Sequence, residues 1–589
     1  MAITRVLIAN RGEIAVRIAR ACRELDICPV AIYGEGEEHA PHVRFAGDAY
    51  RIPATPGMLP YLNQAAIIEV AKRAGAQAIH PGYGFLAENA DFAEACMAAG
   101  LVFIGPPAPA IRAMGDKVAA RRLASAAGVP VVPGSDGPIA TVDAARAWAE
   151  EYGYPVAIKA AGGGGGRGFR VARSAADLPE AFAGSSGEAQ RYFSNPTVYL
   201  ERYLDRPRHI EVQIVADQHG TIVSLGERDC SVQRRHQKLI EETPSPAVDA
   251  SLRRALGEAA IALARTVGYV SAGTVEFLLD DTGHFYFLEM NTRIQVEHPI
   301  TEEVTGIDLV KEQLRIAAGL PLAFGEEIAP RGHAIECRIN AEDAGRDFAP
   351  VPGTVSRFRP PAGPGIRVDA AMDDGIAIHP AYDSLIAKLI AWGRDRNEAI
   401  ARMRRALAEF VIEGVPTTIP FHQRVMDHPA FQAGEVTTTF LAEHPDVLPP
   451  PATPAPAERQ VPVPARELVV EVNGRRLTVR VHGEVSTALP AATPPPRRPP
   501  TPRHRLPHAG SGGHATADGA ELTSPLQGTV VRVAVTPGTP VRRGDLICVV
   551  EAMKMENEIA AHREGTVVAV HVEPGHAVRI GTVLATIAP

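Results

Sequence analysis

The sequence predicts an α/β multidomain protein of 589 residues that ends in a small all-β domain. Three observations carry this expectation. Short apolar runs alternate with helix-period segments up to about residue 445. Stretches dense in Pro, Ala and Thr at 445–465 and 489–513 then break the pattern, as exposed linkers do. The last 69 residues contain an internal repeat.

The elements follow in chain order. Val6 to Ala9 is a short apolar run, Gly12 marks a turn, and Ile14, Ile18, Cys22 and Leu25 recur near helical period. This alternation continues to Phe103-Ile104-Gly105-Pro106 and predicts a parallel sheet wrapped by helices over 1–115. The stretch N-R-G-E-I-A lacks G-x-G-x-x-G, so it reads as a packing turn and not a dinucleotide site. Residues 116–330 are more mixed and hold a glycine run at 162–166. The segment 331–445 closes with the helical stretch Asn397 to Phe410. Within the 446–521 linker, Leu468, Val470 and Val472 alternate, then Asn473-Gly474, then Leu477, Val479 and Val481. That is a hairpin at 466–485, which needs something to pack on. In the final domain, 522–589, the seventeen residues from Gly528 match those from Gly565 at eleven positions. Two such halves predict a β-sandwich with near two-fold symmetry, with E-A-M-K-M-E-N at 551–557 between them.

Composition narrows the classes. A net charge of -8 argues against a general nucleic-acid or anionic-membrane surface. The six cysteines show no metal-ligand spacing and read as reduced, cytoplasmic protein. No apolar run reaches the ~18 residues of a membrane span, and the N-terminal one is too short for a signal peptide.

Lys554 stands between Met553 and Met555. This setting, the repeat and the C-terminal position resemble the biotinyl domains of biotin-dependent carboxylases over 522–588. The resemblance implies that a separate biotin protein ligase links biotin to Lys554. Lipoyl domains share the fold, but their lysine usually lacks the flanking methionines. The segment from about 487 to 521 gives reach, roughly 30–35 Å r.m.s. as flexible coil and about 100 Å fully extended.

The run A-A-G-G-G-G-G-R-G at 160–168 follows the apolar Val156-Ala157-Ile158 and Lys159. It reads either as flexible linker or as backbone N–H groups wrapping phosphate, Gly165 and Gly166 among them. No G-K-[ST] follows, so it is not a P-loop. Then come E-R-Y-L at 201, R-H-I-E-V-Q at 208, E-R-D-C-S-V-Q-R-R-H-Q-K-L-I-E-E at 227, E-F at 276 and F-L-E-M-N-T-R-I-Q-V-E-H-P at 287. In order and almost unbroken over 1–445, these blocks resemble the ATP-grasp biotin carboxylase family.

That resemblance implies that ATP phosphorylates bicarbonate to carboxyphosphate. Mg²⁺ (or Mn²⁺) would be held by the hard oxygens of Glu276, Glu289 and Asn291. Lys117, Lys159, Glu201, His209, Gln233 and His236 match nucleotide positions, with the backbone near Leu204 at the adenine. Lys238, Arg293, Gln295 and the Val296 backbone match the bicarbonate site, and Glu297 the base that deprotonates it. Arg338 would stabilise the enolate-like biotin anion. Tyr83 lies near biotin in relatives, or else is a core tyrosine. The chain departs from the family at Tyr33-Gly34-Glu35-Gly36-Glu37, at Ala87 and at Phe169, which would shift nucleotide affinity. It has no room for a carboxyltransferase, so the resemblance implies a separate carboxyltransferase (beta) subunit acting on acetyl- or propionyl-CoA. The implied assembly is a homo-oligomer within a larger hetero-oligomer, with the hairpin as its docking element. Another ATP-grasp ligase would not explain the biotinyl domain, and a non-catalytic biotin scaffold would not explain an intact nucleotide site.

Overall fold

The computed structural model describes residues 3–452, 465–472, 475–482 and 520–588, apart from 54, 56–57, 136, 161–167, 194, 326–327, 525–527, 553–554 and 579–580. These residues form two compact units, one built mainly on Met1–Pro451 and the other on the C-terminal residues.

The first unit opens with five parallel strands, β1 (Arg5–Ile8), β2 (Cys28–Tyr33), β3 (Asp48–Arg51), β4 (Ala78–His80) and β5 (Val102–Phe103), in the order β3-β2-β1-β4-β5. Both faces are covered. Leu7, Val30, Ile32 and Ile79 enter one core, while Val6 and Ile8 pack on the other side with Ile14, Ile18 and Cys22. Strand order reverses direction between β1 and β4, where open α/β sheets place ligands. The Asn10 amide closes this point by donating to the carbonyls of Pro81 and Tyr83, each at 2.7 Å. A Cβ on Gly82 would lie 2.9 Å from that amide, at a φ of +64°. The N-R-G-E-I-A stretch is therefore a packing turn.

A small three-stranded sheet, β6 (Val156–Ala160), β7 (Phe169–Ala172) and β8 (Val198–Arg202), carries Lys159 and Glu201. The main sheet has eight strands. Its first six are β9 (Arg208–Ala216), β10 (Ile222–Arg234), β11 (Gln237–Thr243), β12 (Ser271–Leu279), β13 (Phe285–Asn291) and β14 (His333–Asn340). They run in the order β13-β12-β9-β10-β11-β14, followed by Leu385–Gly393 and Ile366–Ala370. Alternation explains its two faces. On β9, Ile210, Val212 and Ile214 join a buried core with Val275 and Phe277, which leaves His209, Glu211 and Gln213 for the opposite face. A register shift between Glu276 and Phe277 on β12 sets Glu289 opposite Glu276 while Phe287 stays in the core.

Strands Ala465–Val472 and Arg475–His482 pair antiparallel in the hairpin, with Val472 opposite Arg475. The C-terminal domain is two four-stranded sheets. The short strand Pro540–Val541 of the first repeat pairs with Gly565–Val570 of the second, and Ala577–Val578 of the second lies beside Gly528–Val533 of the first. This exchange is the two-fold symmetry seen in the sequence, built over a core of Val530, Ile547, Val567, Leu584 and Ile587. No helix among the described residues is long and apolar enough to cross a membrane.

Candidate active site

Lys238 on β11 is the hub of the site. Its ammonium donates to Glu276 at 2.8 Å, to Glu297 at 2.7 Å and to Glu211. All three carboxylates are buried. A cation among three anions in a dry site stays protonated. Burial alone would lower the Lys238 pKa, but Glu211, Glu276 and Glu297 raise it well above the usual lysine range.

Glu297 precedes the helix His298–Thr305 and is fully buried. It receives Arg338 Nη2 at 2.9 Å on its other oxygen. Burial pushes its carboxyl up, yet Lys238, Arg338 and Arg228 hold it well below the ordinary range. It is therefore ionised, as a proton acceptor must be. Arg338 also donates through Nε to Glu241 at 2.6 Å.

Arg293 spreads its guanidinium over three side chains, Glu88 at 2.8 Å, Asn291 Oδ1 at 2.8 Å and Gln295 Oε1 at 2.9 Å, and over the Ile294 carbonyl at 3.3 Å. The Val296 carbonyl accepts from Lys388 at 2.9 Å.

The three expected metal ligands lie on the paired strands β12 and β13, with Thr274 opposite Asn291 and Glu276 opposite Glu289. Asn291 Nδ2 is 2.8 Å from Glu276 Oε1, and the Lys117 ammonium is 3.4 Å from Glu289. Burial pushes the Glu276 carboxyl up, but Lys238 and His209, at 2.8 Å, hold it well below the ordinary range. Carboxylate and amide oxygens are hard donors that suit a divalent hard cation, so these residues fit the implied Mg²⁺ or Mn²⁺.

Of the residues expected to meet nucleotide, Lys159 binds the buried Glu201, which Arg121 also reaches at 2.5 Å. Burial raises that carboxyl, and the two cations bring it below its ordinary value. Gln233 and Lys238 pair across the β10–β11 hairpin, and His236 lies in its turn at a φ of +67°. The His236 ring meets Phe169 edge-on at 5.4 Å. Burial and the charges of Lys159, His209 and Lys117 lower its pKa, which favours a neutral imidazole. Leu204, half-buried, follows β8. Tyr83 follows β4 and donates to Glu13, a residue that also meets Lys388 at 3.1 Å. Burial and the Glu13 charge raise the phenol well above its usual range. Gly165, Gly166 and Lys554 lie outside the described residues; Lys554 falls between strands Leu546–Ala552 and Met555–Ala560.

Several site residues escaped the sequence reading. Glu211 shares the β9 face with His209 and binds Lys238 and Arg228. Arg228, fully buried, reaches Gln213 at 2.8 Å and Thr301 at 2.9 Å. Glu88, Glu241 and Arg121 each hold a residue that was identified. For Glu211 the signal was present, a charge that alternates with the apolar Ile210 and Val212 on either side.

Oxygen donors on two paired strands and a buried lysine–carboxylate–arginine network make this an ATP-grasp ligase site. Four family models match the chain in order. They are "Biotin carboxylase, N-terminal domain" at 2–111, "Carbamoyl-phosphate synthase L chain, ATP binding domain" at 116–324, "Biotin carboxylase C-terminal domain" at 336–443 and "Biotin-requiring enzyme" at 520–587. The chain is 48% identical to the biotin-dependent acyl-coenzyme A carboxylase alpha3 subunit of Mycobacterium leprae, over 99% of this chain and 98% of that protein. It is 54% identical to biotin carboxylase 1 of Bacillus subtilis, over 76% of this chain and 99% of that one. The solved biotin carboxylase domain dimer of Hydrogenobacter thermophilus 2-oxoglutarate carboxylase, in complex with MgADP, ADP and bicarbonate, superposes with a TM-score of 0.74. The two are 49% identical, over 76% of this chain and 99% of that chain. The chain belongs to the biotin-dependent carboxylase family, with the biotin carboxylase domains and the biotin carrier domain in one polypeptide.

Proposed function

We propose that this chain is the biotin-carrying alpha subunit of an acyl-CoA carboxylase. It uses ATP and bicarbonate to carboxylate the biotin on Lys554 and delivers the carboxyl group to a separate carboxyltransferase subunit that acts on acetyl-CoA or propionyl-CoA. The observation that carries the acyl-CoA assignment is the extent of the match. The alpha3 subunit is matched from end to end, whereas the biotin carboxylases match only the first three-quarters of this chain. The domains are read as 1–115, 116–330, 331–445 and 522–589. A biotin protein ligase, a homo-oligomeric core and a cytoplasmic setting complete the reading.

The chain's own residues divide the work. Lys117 and Lys159 bind the polyphosphate, and His209, Gln233 and His236 line the nucleotide. Glu276, Glu289 and Asn291 hold the metal, which when bound neutralises phosphate charge and aligns the transfer. Arg293, Gln295 and Lys238 orient bicarbonate, and Glu297 accepts its proton. An anion arriving beside Lys238 and Arg293 offsets the charges that depress the Glu297 carboxyl, so its basicity rises when substrate is present. Arg338 presents its guanidinium to the ureido oxygen, where negative charge develops as the ring loses its proton. Lys554 carries that ring.

The test is ATP-dependent fixation of radiolabelled bicarbonate into free biotin, followed by pull-down of the partner and a panel of acyl-CoA acceptors. No fixation into biotin would refute the carboxylase reading. Transfer only to a keto acid would refute the acyl-CoA assignment.

A further inference from the structure

The sheet face beneath the His298–Thr305 helix carries charge where a core is expected. Glu241 on β11 stands directly across the ladder from Glu336 on β14, and both are 0% exposed. Arg338, two residues further along β14, is opposite Lys388. The charged groups facing the two carboxyls are thus Arg338 from β14 itself, Lys388 from the adjacent strand Leu385–Gly393, Lys238 from β11 and Glu297 from the start of the covering helix. Arg338 Nε takes only Glu241 Oε1. Glu241 Oε2 and both oxygens of Glu336 have no hydrogen-bond partner among the described residues. Two ionised carboxylates facing each other in such a site repel, and an ionised carboxylate without a donor is among the costliest groups to bury.

We propose that Glu336 is a neutral carboxylic acid whose O–H donates to Glu241 Oε2. This bond keeps Glu241 ionised against Arg338 and makes Glu336 a positioning residue for the guanidinium that meets biotin. The proposal rests on Arg338 facing biotin, as read above. Cross-strand partners are close enough for the bond, and one proton between the two carboxyls engages two of the three open oxygens and leaves a single negative charge for Arg338. Burial, aided by Glu241 and Glu297 and opposed by Lys388 and Arg338, holds the Glu336 carboxyl well above its ordinary range. Burial also raises Glu241, to about 7, against the pull of Arg338. Glu241 therefore sits at the edge of ionisation, where one donor decides its state. If Glu241 takes up a proton, Arg338 loses its Nε anchor and keeps only Glu297.

The test uses the full biotin-carrying chain, with free biotin as acceptor, from about pH 6 to 9. Two rates are followed, biotin carboxylation and biotin-independent, bicarbonate-dependent ATP hydrolysis. Glu336→Leu removes the donor. Biotin carboxylation should fall about ten-fold or more near neutral pH, and its acidic limb should move up by about one pH unit, because Glu241 then keeps its proton longer. ATP hydrolysis should keep its profile. Glu336→Gln keeps an N–H donor and should restore both rate and profile to within about two-fold of the native chain. A native profile in Glu336→Leu, or a ten-fold loss in Glu336→Gln, overturns the proposal. If the leucine variant does not fold, the glutamine variant decides alone. A native chain that hydrolyses ATP without carboxylating biotin overturns the functional reading instead.

Discussion

Glu242 ties the strand that carries Lys238 to two other elements, and protonating it should loosen the site from behind. Its carboxylate is 3% exposed and accepts Arg396 Nε at 2.7 Å, Arg396 Nη2 at 3.1 Å and His333 Nε2 at 2.8 Å. Burial works against ionisation, but these donors bring the pKa from 4.5 to about 2. The folded-state value is depressed, so the stabilisation is complete above the unfolded value and is lost as pH falls toward the folded one. The shift corresponds to about 3 kcal/mol at pH 7, about 2 kcal/mol near pH 3.5 and close to zero below pH 2. Glu242→Gln cannot ionise. The native chain should exceed it in urea-unfolding free energy by about 3 kcal/mol at neutral pH, and the difference should shrink between pH 4.5 and 3. Other acids titrate in this window in both proteins and cancel in the comparison. A difference that stays constant from pH 7 to 3 would refute an ionic origin.

Three other outcomes are expected. Lys554→Ala should abolish streptavidin-detectable biotin while leaving carboxylation of free biotin, and labelled protein from that variant would contradict the attachment site. Arg338→Ala should lower biotin carboxylation by about 10²–10³-fold, the usual cost of losing a donor to developing charge. Biotin-independent ATP hydrolysis should fall much less, and equal loss of both would remove Arg338 from its role. Deleting residues 465–482 should abolish co-purification of the carboxyltransferase without changing free-biotin carboxylation; unaltered assembly would exclude the hairpin as the docking element.

The fold was legible where the pattern is local. The alternating apolar runs and helix-period segments near the N-terminus became a parallel sheet covered on both faces, and the repeat in the last domain foretold its near two-fold symmetry. The hairpin was legible from Asn473-Gly474 between alternating runs, and its strands end at His482, three residues short of the expected limit. The motif blocks named residues that the structure gathers around Lys238, because each block lies on one strand or on two joined by a short connection.

Their partners were not legible, for a physical reason. Glu88 meets Arg293 across 205 residues, and Glu241 meets Arg338 across 97. No sequence spacing encodes such a contact; it exists only once β11 and β14 are in register and the N-terminal domain has closed on β13. The protonation states were hidden for the same reason. Glu241, Glu297 and Glu336 are one residue type, yet burial with different neighbours raises the first to about 7, holds the second well below the ordinary range and keeps the third well above it. Three identical side chains thus acquire three states from the strands beside them. A swap that preserves the carboxyl group but shortens its reach, such as Glu→Asp at any of the three, should therefore perturb the pH profile of biotin carboxylation more than its small chemical change suggests.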